Sequence, residues 1–84
     1  IEDYAIEKIW SRSRIPLREK SMITIASQVA MGRWNQVRKH MEGFLHLGGT
    51  KGDLKEILFH LSVYCGFPAA LSGLEILKEI SEKD

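Results

Sequence analysis

The sequence predicts an all-α domain of about five helices, and three observations lead there. Apolar residues recur at the spacings of one helical face through successive stretches of the chain. Between those stretches stand the breakers Pro16, Gly32, Gly48 with Gly49, and Gly66 with Pro68. No run alternates apolar and polar residues as a half-buried strand does. The 84 residues suffice for one small domain, taken as 1–84. A domain of this size hides only about 60% of the surface its unfolded chain exposes, so its core is limited.

The first helix falls in DYAIEKIW, with Ile6, Ile9 and Trp10 on one side. SRSRIP follows, and Pro16 sits near the start of the next helix, where its missing N–H matters least. In LREKSMITIASQVAMG the packing face is Met22, Ile25, Ala26, Val29 and Ala30, and Gly32 is placed to stop the helix. RWNQVRKHMEGFLHLGG repeats the pattern with Trp34, Val37, Met41, Phe44 and Leu45, ending at Gly48 and Gly49. Thr50 caps the following helix, and Asp53 three residues on makes a short-armed capping box. That helix runs to Cys65, where Gly66, Phe67 and Pro68 break it. Pro68 then serves as an early residue of the last helix, PAALSGLEILKEISEKD.

The helix over 50–65 is the unusual one. Leu54, Ile57, Leu58, Leu61, Tyr64 and Cys65 make an ordinary core stripe, but Phe59 and Val63 are apolar on its other sides. A helix apolar nearly all round needs cover all round, which a small bundle cannot supply alone. An oligomer with this helix near a subunit interface is expected; the alternative is that Phe59 is a tolerated surface aromatic.

Composition excludes several classes of function. Net charge is +1 with both signs interspersed, which is no footprint for nucleic acid or an anionic membrane. A single cysteine makes no internal disulfide, no Cys/His cluster has zinc spacing, and a reducing, cytoplasmic setting is expected. No apolar run approaches the ~20 residues of a spanning helix. The chain opens on Ile1 rather than Met, so residues of a longer protein are expected to precede it, and a targeting segment there stays open.

Polar residues with chemical potential gather along one stripe. Glu56, His60, Val63, Tyr64 and Phe67 flank the core face of the helix over 50–65. Glu56 and His60 are one turn apart and can hydrogen-bond, which would make a good proton donor or acceptor; the plainer reading is a surface pair. His40 borders the apolar face between Val37 and Phe44, whereas His46 near its helix end simply complements the dipole. Glu19 lies in a first helical turn, where the dipole alone justifies a carboxylate. Arg12, Arg14 and Arg18 cluster where an anionic substrate can be gripped; the plainer reading is that they are solvated or pair with surface acids. Cys65 reads as a small core residue more readily than as a redox group. No Ser-His-Asp pattern or phosphate-cradling glycine loop is present.

The stretches IWSRSRIPLREKSMITIASQVAMGR and KHMEGFLHLGGTKGDLKEILFHLSVYCGFPAA resemble the carboxymuconolactone decarboxylase family within the alkylhydroperoxidase D-like fold. The resemblance covers nearly the whole chain and rests on the order and spacing of several pieces: WSR, the helix carrying R-E-K and ITIA, His40, the turn at 48–50, and H-x-x-x-Y-C-G-F-P-A-A. It implies an all-helical homotrimer or homohexamer. A peroxidase-like branch of that fold uses a glutamate, a Cys-x-x-Cys pair and a histidine. Glu19 and His40 take the outer positions here, but Met31 and Trp34 stand near where the cysteines would fall. A dithiol cycle needs both thiols, and Cys65 belongs to a later motif, so this activity is disfavoured.

The decarboxylase branch fits better. It implies conversion of γ-carboxymuconolactone to β-ketoadipate enol-lactone in aromatic-acid breakdown, with no metal and no cofactor. Electrons left by CO2 delocalise towards the lactone carbonyl, so the protein supplies cations, a carbonyl donor and an acid. On this resemblance His40 and His60 are the acid and the donor in an order left open, and Glu19 orients a histidine or an arginine. Arg12 clamps the anion, and Tyr64, Cys65 and Glu56 line the pocket. The RSRIPLRE loop departs from the family's pattern so that Arg14 and Pro16 reshape the loop near the anion site, and Leu47 and Leu71 stand where asparagine is common, towards a less polar substrate. A non-catalytic helical oligomer binding a small molecule or a partner is the remaining alternative.

Overall fold

The computed structural model describes residues 4–82, and they form helices joined by short turns, with no strand among the described residues. An N-terminal helix of π winding, Ala5–Trp10, leads by an irregular segment to α1 (Leu17–Ala30), α2 (Trp34–His46), α3 (Lys51–Cys65) and α4 (Phe67–Glu82). Asp3, Lys83 and Asp84, expected in the first and last helices, lie outside the described residues, as does the side chain of Ile6.

The stops act as the glycines foretell. At the end of α1, Gly32 takes φ +69°, Arg33 N–H donates to the Gln28 carbonyl at 2.9 Å and Gly32 N–H to that of Val29 at 3.0 Å. The end of α2 repeats this Schellman arrangement, with Gly48 at φ +100° and Gly49 N–H donating 2.9 Å to the Phe44 carbonyl. Thr50 caps α3 through the expected box: Asp53 N–H donates to the Thr50 hydroxyl at 3.1 Å, and Thr50 N–H to the Asp53 carboxylate at 3.2 Å. One residue, Gly66 at φ +89°, separates α3 from α4.

The core draws on every α-helix. Ile25 and Val29 of α1, Val37, Met41 and Phe44 of α2, Leu54, Ile57 and Leu58 of α3, and Ile76, Leu77 and Ile80 of α4 form one buried cluster. Each such side chain contributes about 1.5–3 kcal/mol by leaving water. α3 and α4 pack tightly at Gly73, where an added Cβ would meet Leu58 Cδ2 at 2.5 Å.

Two stripe residues depart from expectation. Ala30 is exposed, and Tyr64 is 75% exposed rather than in the core. Both sit in the last turn of their helix beside better-covered residues, Val29 buried and Cys65 half-buried; periodicity assigns a face but not how far its packing extends round the helix. Phe59 and Val63 stand 53% and 76% exposed, so the outer side of α3 is apolar as expected.

Candidate functional site

Two of the clefts along α1 share Ile23 as a common wall. The first, about 430 Å³, lies between α1 and the N-terminal segment. Ile9, Trp10, Ile15 and Ile23 make it apolar, while Arg12, Arg14 and Lys20 bring cations to it. Among the described residues neither Arg12 nor Arg14 has a carboxylate within ion-pair distance. A shape of this kind, apolar with a few polar groups, suits a small organic anion.

The second cleft, about 370 Å³, opens between α1 and α3. Met22, Ile23 and Ala26 face Ile57 and Leu61, and Asp53, Glu56 and His60 supply the polar edge. Glu56 and His60 therefore meet in one cleft, but no hydrogen bond joins them. Both are exposed, and water competes well for such a pair. The His60 ring instead packs against Tyr64, centroids 5.1 Å apart and planes tilted by 45°.

The other expected site residues are more scattered. Tyr64 and Cys65 line neither cleft; Tyr64 reaches the second one through its contact with His60, and Cys65 is half-buried at the end of α3. His40, half-buried on α2, and Glu19, exposed in the first turn of α1, also line neither. Arg18 is engaged elsewhere. Its guanidinium donates to Asp53 at 3.3 Å and lies 5.5 Å from the centre of the Phe44 ring. The hydrogen bond from Arg18, with Thr50 adding to it, holds the Asp53 carboxyl below its ordinary value, and the same bond raises Arg18. Among the described residues no three His, Cys, Asp or Glu side chains converge as metal ligands.

Sequence reasoning passed over Lys20 and Ile23. Ile23 lies off the core stripe of α1, which was a usable signal for an apolar residue meant for a cleft. Lys20 carries no such signal, because its partners, Trp10 and Arg12, lie beyond an irregular turn.

Comparison with known proteins agrees with the resemblance. The family model described as carboxymuconolactone decarboxylase matches residues 1–79. A 4-carboxymuconolactone decarboxylase of Acinetobacter baylyi is 35% identical over 80 residues, covering 95% of this chain and 60% of that protein. A nitrosuccinic acid decarboxylase, npaB, of Metarhizium robertsii is 23% identical over 79 residues, covering 94% of this chain and 55% of that protein. The chain thus spans less than two thirds of the length of either relative. With its helices, breakers and turn motifs in the order the resemblance requires, the chain belongs to the carboxymuconolactone decarboxylase family.

Proposed function

We propose that this domain carries a cofactor-independent decarboxylase activity towards a small carboxylated lactone, γ-carboxymuconolactone or a related acid, as part of a cytoplasmic homotrimer or homohexamer. One observation carries the reading beyond the relatives' names. An apolar cleft edged by Arg12, Arg14 and Lys20 adjoins, across Ile23, the cleft edged by Glu56 and His60. Cations to hold carboxylates and a nearby group that returns a proton are what loss of CO2 from a carboxylated lactone requires.

In this reading Arg12 holds a carboxylate that is retained, and the apolar walls lie against the ring that carries the carboxylate that leaves. The C–C bond to CO2 breaks, its electron pair moves into the conjugated system towards the lactone carbonyl, and an acid returns a proton to carbon. His60 is the favoured acid because it edges a cleft, with Glu56 beside it and Tyr64 against its ring. His40 is the second candidate for the acid or the carbonyl donor, and Glu19 for the group that orients a histidine or an arginine. The apolar outer side of α3, with Phe59 and Val63, is the surface assigned to self-association, beside the His60 edge.

The test is an ultraviolet progress curve with γ-carboxymuconolactone for wild type, His40→Ala and His60→Ala, with oligomeric state measured alongside. Turnover in the wild type that falls about 10²–10⁴-fold in one variant, assembly intact, supports the reading and names the acid. No turnover by the wild type removes this substrate.

A further inference from the structure

Lys20 stands at the junction of α1 and the N-terminal segment. A helix leaves its last carbonyls without intrahelical partners and gathers partial negative charge there. The N-terminal helix ends at Trp10, and the Lys20 ammonium donates to the Trp10 carbonyl at 2.6 Å and, in a second bond, to the Arg12 carbonyl. Trp10 and Arg12, whose backbones it grips, are the aromatic wall and one of the cations of the first cleft. The other bonds of this segment are internal: Ser11 donates from its hydroxyl to the Glu7 carbonyl, and Arg12 N–H to that of Ile9 at 3.1 Å. They shape the segment without tying it to the bundle. Among the described residues, the side-chain hydrogen bonds that join it to α1 both come from Lys20.

We propose that Lys20 is a positioning residue that latches the N-terminal segment onto α1 and so assembles the carboxylate-binding end of the first cleft. The proposal rests on the reading of that cleft given above. Two carbonyl dipoles face the Lys20 charge, so the ammonium is engaged by backbone and the Arg12 and Arg14 guanidiniums are left to meet the ligand. The rival is that Lys20 itself grips the ligand's carboxylate. The two differ in the unliganded protein, where only a latch holds the segment still.

The experiment compares wild type with Lys20→Met, which keeps the apolar stem, Lys20→Gln, which keeps one donor group, and Lys20→Arg, which restores charge and donors. Amide hydrogen exchange of the unliganded chain is followed at residues 5–15 and, as an internal control, at the core of α3. Lys20→Met is expected to exchange about tenfold faster at 5–15 with the α3 core unchanged, and Lys20→Arg to recover most of the difference. γ-Carboxymuconolactone is then titrated against Trp10 fluorescence in a Trp34→Phe background and assayed for turnover. KM is expected to rise about tenfold in Lys20→Met while kcat holds, the pattern of lost uniform binding.

Exchange at 5–15 that stays at the wild-type rate in both Lys20→Met and Lys20→Gln overturns the latch. Faster exchange with unchanged affinity overturns the positioning role, and lost affinity with unchanged exchange shows instead that Lys20 touches the ligand. If Lys20→Met does not fold, Lys20→Gln gives the same comparison. A wild type that neither binds nor converts the lactone defeats the substrate reading, and the exchange arm alone then decides the latch.

Discussion

Replacing Gly73 by Ala probes how tightly α3 and α4 are pressed together. The new Cβ would stand 2.5 Å from Leu58 Cδ2, with Cδ1 at 3.4 Å and Cγ at 3.5 Å. Restoring ordinary contact requires a movement of about 0.9 Å by Leu58, which is fully buried in the core, where close packing makes such a movement costly. Overpacking of this kind costs about 1–3 kcal/mol, against about 1 kcal/mol gained by removing a glycine from a helix interior. The net loss is about 1 kcal/mol, a fall in Tm of about 4–8 °C for a domain of this size. Leu58→Ala alone removes about 2–5 kcal/mol by leaving a cavity. In that background the obstacle is gone, so Gly73→Ala is expected to stabilise by about 1 kcal/mol. Urea unfolding followed by circular dichroism, at several protein concentrations, reads all four corners of the cycle. If Gly73→Ala destabilises equally with and without Leu58, the penalty does not come from this contact and the reasoning fails.

Three further outcomes are expected. Asp53 has a lowered carboxyl pKa in the folded chain, so its contribution is present above the ordinary carboxylate value and is lost as pH falls through the folded one. Asp53→Asn should therefore flatten the acid limb of a Tm-against-pH curve, and an unchanged limb would refute the Arg18 pairing as its source. Thr50→Ala removes the cap of α3 and should cost about 0.5–2 kcal/mol in chemical unfolding, with Thr50→Ser close to wild type. Val63→Glu, which places a charge on the apolar outer side of α3, should weaken self-association at least about tenfold in sedimentation equilibrium while leaving the helical content intact. Assembly indifferent to that charge would move the interface elsewhere.

Much of this architecture was legible because helix ends are written locally. Gly32, Gly48 and Gly66 all take the positive φ that their place after an apolar stripe implies, and Thr50 with Asp53 forms the box that their spacing announces. The family resemblance, too, rests on the order of such pieces. What was not legible depends on neighbours distant in sequence. Tyr64 shares a helical face with Ile57, yet no neighbouring helix covers it and it is left in solvent. Arg18 stands among candidate anion clamps that can equally pair with surface acids, but that its partner is Asp53 of another helix is set by the packing of α1 against α3. Lys20 looks like any solvated lysine of a helix until the N-terminal segment folds back beside it. Glu56 and His60 were rightly placed together by spacing, whereas a hydrogen bond between them needed a dryness that this exposed edge lacks.

Gly66 has a consequence for the order in which the molecule assembles. A joint of one residue leaves almost no loop entropy to overcome, and the α3–α4 contact it creates is the most extensive between any two helices of the described chain. Contacts close in sequence form early, so this hairpin is the natural nucleus, onto which α1 and α2 then condense. On the ribosome α1 and α2 emerge first and can pack on each other, but the faces they turn to α3 and α4 stay uncovered until the hairpin is made. Slowing the turn at Gly66, where any side chain strains a backbone at φ +89°, would lengthen that wait and turn a local substitution into an aggregation problem.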